Sequence, residues 1–339
     1  MTTLLEFCQR LPKIELHAHL NGSLSERTLR ILNVSEHNIN LYQLLHKQSN
    51  AEERLRLAFS LFKVAHDATN TIDAVCTATK HVIEEYYRDN VIYLELRTTP
   101  REESAMSRKE YIEAVIKAIT DQNLVVVKLL LSINRTHSLD ESNESLETIL
   151  EMHKLYPNII KGLDLSGSPY SGHFYKDMFE RARQQKLKIT LHCAEIVNNE
   201  EVNTILQFKP DRIGHGTTLH TKYGGSQTNW ELYNNLKIPL ECCLTSNVLS
   251  GTVKSFKEHH VAEWIKHELP FSINTDDKGI FSTNLSNEYY LMGEAFNLSK
   301  EYIFNCNYKA IDYSFASDEE KEQIKGILTQ WKSAQYTLF

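Results

Sequence analysis

Residues 13–20 of this 339-residue chain read KIELHAHL, and Asn21 follows them. Apolar residues alternate with polar ones along this run, which is typical of a β-strand. Residues two apart on a strand point to the same side, so the imidazoles of His17 and His19 project together. An isolated pair of this kind is more often two buried core histidines than a metal site, so its meaning depends on the rest of the chain.

Seven further runs rich in isoleucine, valine and leucine follow, and amphipathic stretches lie between them. The predicted strands are residues 13–20, 91–98, 124–134, 159–165, 187–193, 211–215, 238–244 and 271–276. The predicted helices include residues 72–88, 109–120, 141–155, 174–185 and 259–267. Eight strands that alternate with helices predict an α/β fold, a parallel sheet closed into a (β/α)8 TIM barrel. An open doubly wound sheet is the alternative, and it is disfavoured because no GxGxxG follows the first strand.

The first connection of this barrel is much longer than the others. About 70 residues separate Asn21 from the second strand, far more than the few residues that usually join a strand to a helix. The segment reads as several helices, among them residues 52–66 and 72–88. We therefore expect a helical insertion at about residues 24–90 over the barrel mouth, serving either as a substrate lid or only as packing. No linker-like tract interrupts the chain, so we expect one domain over residues 1–339.

Composition excludes some classes of partner. The formal net charge is −7, which argues against binding to a nucleic-acid polymer or a membrane surface. The sequence has neither a signal-peptide pattern nor an apolar run of about 18 residues that could span a membrane. Its six cysteines are scattered without a CxxC pair, which suits a reducing compartment. We expect a cytoplasmic monomer whose partner is a small molecule.

Polar and ionisable residues gather where the predicted strands end. The clusters are residues 17–21, 97–101, 166–169, 192–195, 214–217 and 274–277. A barrel carries its active site at the carboxyl ends of its strands, because the loops that follow them share one rim. Six clusters at this rim therefore predict a functional site there.

Two of these clusters add ligands to the first histidine pair. His192 and Asp276 would join His17 and His19, and three imidazoles with one carboxylate suit zinc. A binuclear centre would want a further bridging ligand, often a lysine, at the end of the fourth strand. That strand ends in LSGS, and Lys161 lies at its beginning. The sequence therefore predicts one Zn²⁺ per chain.

Three further side chains are candidate catalytic groups. Glu195 lies three residues beyond His192, where it can act as a general acid or base, although a solvated loop carboxylate is the simpler reading. His215 lies between two glycines that leave room for a ligand or water. Adjacent Asp276 and Asp277 would face opposite ways on a strand, but a turn at the strand end can aim both inward. The segment LTSN at residues 244–247 either shapes the floor of the site or only forms a turn.

An ordered series of motifs resembles the adenosine/AMP deaminase branch of the amidohydrolase superfamily. The motifs are KIELHAHLNGS, YLELRTTPR, GLDLSGSP, LHCAEI, DRIGHGT, PLECCLTSN and INTDDKGIF, and they span the chain. The resemblance implies an amidohydrolase-like barrel that binds zinc through His17, His19, His192 and Asp276. Such enzymes hydrolyse the amino group from C6 of a purine.

The resemblance also implies roles for individual residues. His215 and Asp277 would orient and deprotonate the water nucleophile. Glu195 would donate a proton to N1 of the purine, which makes C6 electrophilic. Gly167 would offer its backbone to the purine ring. The product would be a 6-oxopurine.

Within the family, LNGS, LELRTTPR, LDLSGSP and TDDKGIF are most similar to members that act on N6-methyl-AMP. The implied reaction converts N6-methyl-AMP to IMP and methylamine. Asn21 stands where adenosine deaminases have an aspartate, and an amide can donate to a 5′-phosphate that a carboxylate would repel. The implied contacts of this purine nucleotide are His19, Asn21, His66, Thr98, Thr99, Pro100, Arg101, Asn134, Gly167 and Asp277.

Two alternatives remain open from the sequence. One is an adenosine deaminase that releases ammonia and inosine, and the other is a catalytically silent barrel that binds a purine. Cys193 and Ala194 stand where adenosine deaminases favour Ala-Gly, and Ser168 stands where they carry an acid. These differences change the ring pocket and argue against plain adenosine as the substrate.

Overall fold

Eight parallel strands form one sheet in which each strand is hydrogen-bonded to the next along the chain. The computed structural model describes residues 2–48 and 51–334. The first residue and the last five residues of the expected domain, and residues 49 and 50 of the predicted insertion, lie outside the described residues. The strands are β1 (Lys13–His19), β2 (Val91–Thr98), β3 (Val126–Asn134), β4 (Ile160–Ser166), β5 (Lys188–Cys193), β6 (Arg212–His215), β7 (Leu240–Cys242) and β8 (Phe271–Ile273).

The sheet closes where β1 meets the segment that follows β8. Ala18 pairs with Asp276 in parallel. The His19 N–H donates to the Asp276 carbonyl at 3.0 Å, and the Asp276 N–H donates to the His17 carbonyl at 2.8 Å. The closed sheet with helices between its strands confirms the predicted TIM barrel.

The helices follow the strands as the alternating pattern predicts. They are α1 (Leu4–Arg10), α2 (Glu26–Ile31), α3 (Glu36–Lys47), α4 (Ala51–Ala68), α5 (Ile72–Arg88), α6 (Arg108–Thr120), α7 (Leu139–Leu155), α8 (Lys176–Gln184), α9 (Asn199–Phe208), α10 (Gln227–Leu236), α11 (Leu244–Leu249), α12 (Val261–Lys266), α13 (Leu285–Phe296), α14 (Lys300–Tyr313) and α15 (Asp318–Ala334). Among the described residues, no helix combines the length and the apolar character needed to cross a membrane.

Helix α5 shows how the sequence pattern sets an element. Thr71 caps its amino end by accepting a hydrogen bond from the Ala74 N–H. Val75, Val82 and Tyr86 recur at helical spacing along one face, and all three are buried. The observed helix covers the predicted residues, because the cap residue and the buried apolar face both indicate a helix over this range.

Strands β7 and β8 are shorter than the predicted residues 238–244 and 271–276. Leu244 already begins α11, because the chain turns into a helix directly after β7. Asp276 has a φ of +61°, in the left-handed region that an extended strand never enters. Both predictions were therefore too long at their carboxyl ends, where the backbone turns to direct side chains into the barrel mouth, and the prediction for β7 also began two residues early.

Helices α2 to α5 form the insertion between β1 and β2, and they lie against the barrel mouth. Lys278 and Glu85 form a partly buried ion pair at 2.5 Å that fixes α5 to the loop after β8. Arg54 of α4 donates to the Leu249 carbonyl at 2.5 Å. The insertion supplies part of the wall of the cavity described below. Its movement as a lid stays a prediction.

Candidate active site and metal centre

The four predicted metal ligands meet at the carboxyl ends of β1, β5 and β8. The His19 Nε2 atom lies 3.1 Å from His192 Nε2 and 3.3 Å from Asp276 Oδ1. The His17 Nε2 atom lies 3.2 Å from Asp276 Oδ1, and it is buried without a hydrogen-bond partner. The structure thus brings all four side chains to one point.

The other ring nitrogen of two of these histidines is bound to a buried carboxylate. His17 Nδ1 lies 2.6 Å from Glu241 Oε2, and His192 Nδ1 lies 3.0 Å from Asp164 Oδ1. A carboxylate accepts the Nδ1 proton, so each neutral ring has its Nε2 lone pair free to face the centre. Lone pairs that face one another across about 3 Å repel unless a cation lies between them. This donor set fits a divalent metal ion.

His215 lies beside the same centre. Ligand atoms of His17, His192, His215 and Asp276 all fall within 4.8 Å of one another, so these four residues could also hold a metal ion. The His215 Nε2 atom, however, lies 3.8 Å from Asp276 Oδ2, which is longer than the corresponding His19 contact. The contact with Asp276 is shorter for His19, whereas the mutual spacing of the ligand atoms groups His215 with the other three residues, so distances by themselves allow either histidine as the fourth ligand.

Three of the strand ends at this rim turn through the left-handed region. Ala194, His215 and Asp276 have φ values of +57°, +62° and +61°. Residues with a side chain seldom adopt this conformation, because the Cβ atom crowds the backbone. The turns break the alternation of the strands, and they direct His215 and Asp276 into the barrel mouth.

Asp277 also points inward, and Gly22 makes the space for it. A Cβ atom at residue 22 would lie 1.6 Å from Asp277 Oδ1, so only glycine fits opposite this carboxylate. Asp277 Oδ1 is buried without a hydrogen-bond partner. Burial raises the pKa of Asp277 well above its usual value, and the neighbouring Asp276 and Glu195 carboxylates raise it further. Asp277 Oδ1 is therefore a buried polar atom beside the centre with no partner within the protein.

Glu195 lies in the connection that follows β5, two residues after the strand ends at Cys193. Its Oε2 atom lies 4.0 Å from His215 Nε2. Burial raises the pKa of Glu195 above its usual value, because a low-polarity environment disfavours the charged carboxylate. A glutamate in this environment is suited to holding and releasing a proton.

A network of fully buried charges supports the centre from inside the barrel. Arg97 donates to Asp164 Oδ1 at 3.0 Å and to Glu241 Oε2 at 2.9 Å. It therefore joins the two carboxylates that orient His17 and His192. Although burial alone would raise the pKa of Glu241, the guanidinium groups of Arg97 and Arg212 hold it well below its usual range. Glu241 stays ionised and can hold the Nδ1 proton of His17.

Sequence reasoning missed Arg97, Asp164 and Glu241 as supporting residues. The signal was present, since each lies inside an apolar strand where a charge must find a partner. The partners lie on other strands, however, so the sequence indicates that partners exist without saying which they are.

A cavity of about 620 Å³ opens from the centre towards the insertion. This volume lies within the range typical of small-molecule sites. Nine of the ten predicted substrate contacts line it, and Pro100 does not. The lining contacts are His19, Asn21, His66, Thr98, Thr99, Arg101, Asn134, Gly167 and Asp277.

Two of these residues are already engaged within the protein. Arg101 donates to the Thr69 carbonyl at 2.6 Å and to Thr69 Oγ1 at 2.8 Å, so it caps the carboxyl end of α4. Asn21 accepts a hydrogen bond from the Tyr111 hydroxyl at 3.3 Å, and its amide donates to Thr69 Oγ1 at 3.4 Å. Burial and then Arg101 lower the pKa of His66 to about 4, so this ring is uncharged at neutral pH. The part of the cavity that Asn21 and His66 line is therefore built from neutral polar groups.

A second group of potential metal ligands lies away from this cavity, at His220, Glu263 and His267. The His220 Nδ1 atom accepts the Lys222 backbone N–H at 3.1 Å, so the neutral ring carries its proton on Nε2. That nitrogen faces Glu263 Oε2 at 3.9 Å, and the Lys266 ammonium lies 3.5 Å from the same oxygen. These contacts favour a cluster of ion pairs over a metal site.

The sequence matches the adenosine deaminase family over residues 12–331. A protein of Mus musculus named N6-methyl-AMP deaminase is 39% identical over 338 residues, which cover 96% of this chain and 94% of that protein. An apo structure of the N6-methyl-AMP deaminase from Arabidopsis thaliana is 36% identical with a TM-score of 0.85, covering 96% of this chain and 98% of that one. A crystal structure of Arabidopsis ADAL complexed with IMP is 35% identical with a TM-score of 0.86, covering 97% and 99%. These findings confirm the resemblance seen in the motifs. The chain belongs to the adenosine deaminase family.

Proposed function

We propose that this protein is a zinc-dependent hydrolytic deaminase that converts N6-methyl-AMP and water to IMP and methylamine. The observation that carries the proposal is the convergence of three imidazoles and a carboxylate at the closed end of a nucleotide-sized cavity. Proteins named N6-methyl-AMP deaminase resemble this chain along nearly its whole length, and an Arabidopsis relative is known in complex with IMP. Both findings support this substrate.

His17, His19, His192 and Asp276 would hold one zinc ion. The donor set favours zinc over magnesium or calcium, since those ions prefer oxygen ligands and three of these ligands are imidazoles. The His17 Nε2 atom is buried without a hydrogen-bond partner, as expected for a nitrogen that binds a metal ion. When bound, zinc supplies a positive charge that makes water more acidic at neutral pH.

Glu195 and Asp277 would move the protons of the reaction. Glu195 holds a proton because its pKa is raised, and it donates that proton to N1 of the purine. This draws electron density from C6, where the oxygen of water adds. Asp277, whose Oδ1 has no hydrogen-bond partner, would accept a proton from that water, because the positive charge of the bound metal favours its ionised form. Asp277 would pass that proton to the leaving nitrogen, so the C6–N bond breaks and methylamine leaves. The remaining proton of the C6 hydroxyl would return to Glu195, which leaves the 6-oxopurine.

The polar far end of the cavity would receive the 5′-phosphate. Thr99, Asn134 and Arg101 line the cavity, and they would offer hydroxyl, amide and guanidinium donors to the phosphate. Asn21 adds a donor and no negative charge, which suits a phosphate dianion better than an aspartate would. This arrangement favours a nucleotide over a nucleoside.

The direct test measures methylamine and ammonia released from N6-methyl-AMP, AMP and adenosine side by side, together with zinc per chain. We expect one zinc and the highest kcat/KM for N6-methyl-AMP. Fast turnover of adenosine alone would support an adenosine deaminase, and a metal-free protein that binds IMP without turnover would support a silent barrel. The expected cytoplasmic location and monomeric state stay predictions.

Asn21→Asp should change the preference for phosphate. A carboxylate at residue 21 would repel the 5′-phosphate, so kcat/KM for N6-methyl-AMP should fall about tenfold or more, a loss of about 1.4 kcal/mol per tenfold. The value for N6-methyladenosine should not fall. Steady-state kinetics with both substrates measure the change, and exposed Asn235→Asp is the control that adds the same charge elsewhere. Equal losses for both substrates would show that residue 21 does not distinguish the phosphate.

A further inference from the structure

A chain of hydrogen bonds runs from the backbone of α12 to His215. The Val261 N–H donates to His259 Nδ1 at 3.2 Å. The other nitrogen of that ring, His259 Nε2, lies 3.2 Å from Asn247 Oδ1. Asn247 Nδ2 lies 3.1 Å from His215 Nδ1. The chain therefore connects a main-chain amide to a ring at the metal centre through two side chains.

The direction of each bond follows from the first. A backbone N–H can only donate, so His259 Nδ1 is an acceptor and its neutral ring carries the proton on Nε2. That proton is donated to Asn247 Oδ1, which leaves the Asn247 amide nitrogen to donate to His215. His215 Nδ1 is then an acceptor, and the neutral His215 ring must carry its proton on Nε2.

Burial keeps this direction fixed. His259 is fully buried, and Asn247 and His215 are 2% and 3% exposed, so water does not compete for their bonds. Burial holds the pKa of His259 well below its usual value, so the ring stays neutral. His260 Nε2, 2.7 Å from the His215 carbonyl, fixes the backbone of the same residue.

We infer that Asn247 and His259 are positioning residues that set His215 in the Nε2–H tautomer, which makes it a hydrogen-bond donor to the attacking oxygen. The tautomer follows from the hydrogen bonds, while the role towards the oxygen rests on the proposed function. An N–H group cannot accept a proton from water. Of His215 and Asp277, therefore, only Asp277 accepts it. The family resemblance implies instead that both residues orient and deprotonate the water.

One other observation agrees with this tautomer. The His215 Nε2 atom is 3.8 Å from Asp276 Oδ2 and 4.0 Å from Glu195 Oε2, too far to donate to either, so its N–H faces the cavity. A nitrogen that carries a proton cannot bind a metal, which leaves His19 as the fourth ligand. The segment at residues 244–247 also gains a function, since Ser246 Oγ donates to Asp276 Oδ2 at 2.6 Å beside Asn247.

The test measures the tautomer itself. Zinc-loaded protein with ¹⁵N-labelled histidines is studied by NMR, and the His215 signals are assigned by their absence in His215→Gln. We expect a protonated Nε2 and an unprotonated Nδ1 in the wild-type protein. A proton on Nδ1 would overturn the inference whatever the substrate. The observed Nε2–H tautomer in a protein that deaminates no purine would overturn the proposed function and leave the positioning by Asn247 intact.

Asn247→Asp reverses the last bond of the chain. A carboxylate accepts from both rings, so the His215 proton should move to Nδ1 and the donor facing the cavity is lost. We expect kcat to fall by about a hundredfold with little change in KM, as for loss of one donor to a developing negative charge. A fall in kcat with the Nε2–H tautomer retained would contradict the inference.

Two variants at His259 separate positioning from packing. His259→Gln keeps an amide donor for Asn247 Oδ1, so the tautomer and most of the activity should survive. His259→Leu removes the donor, and the freed Asn247 amide should allow both His215 tautomers, with an intermediate kcat. Equal losses in both variants, in proportion to their loss of thermal stability, would show a structural role only.

Discussion

Glu195→Gln should lower kcat for N6-methyl-AMP about a thousandfold, within the range for loss of a general acid. Glutamine keeps the shape of the side chain but cannot donate the proton that N1 needs. Because Glu195 is not among the converging ligands, zinc content should remain at the wild-type value. Steady-state kinetics and metal analysis on the same preparation measure both quantities.

Glu200→Gln is the matched control for this substitution. Glu200 is exposed on α9, five residues further along the same connection, so the same chemical change there should leave kcat unaltered. Wild-type turnover in Glu195→Gln would remove this residue from the mechanism. Loss of zinc together with activity would instead show that Glu195 belongs to the metal centre.

Arg97→Met should lower the free energy of unfolding by about 3–5 kcal/mol, the cost of breaking a buried ion pair by removing one partner. The substitution leaves Asp164 and Glu241 buried without the cation they share. Zinc affinity should also fall by about 10- to 100-fold, since these carboxylates orient His192 and His17. Denaturant unfolding and zinc titration measure the two effects.

Arg30→Met provides the comparison, because Arg30 pairs with Glu36 at an exposed position on α2. Exposed pairs contribute little, so its unfolding curve should stay close to that of the wild type. Equal curves for Arg30→Met and Arg97→Met would show that the internal network contributes no more than a surface pair.

The network of Arg97, Asp164 and Glu241 occupies space inside the barrel that apolar side chains could fill. Replacing buried ion pairs by well-packed apolar groups often stabilises a protein, so charges in a core need another reason to be there. Here the reason is orientation, because Glu241 and Asp164 fix which nitrogen of each histidine faces the centre. Arg97 helps to keep both carboxylates ionised, together with Arg212 at Glu241 and His192 at Asp164. Stability and metal binding are therefore coupled through one arginine.

The sequence by itself determined the barrel and the residues at its centre. Strand and helix periodicity are local properties, so eight repeats were visible, and parallel closure necessarily brings the carboxyl ends of the strands to one rim. His17, His19, His192 and Asp276 could be placed together on that ground alone.

Tertiary structure decided what depends on contacts between distant residues. The hydrogen bonds from Asn247 to His215 and from Arg101 to Thr69 each join residues about 30 positions apart, and no local pattern encodes them. The inward turn of Asp276 depends on a left-handed φ that propensity does not predict for aspartate at a strand end. Periodicity fixes where a side chain starts, while its partners across the barrel fix where it points and which atom carries its proton.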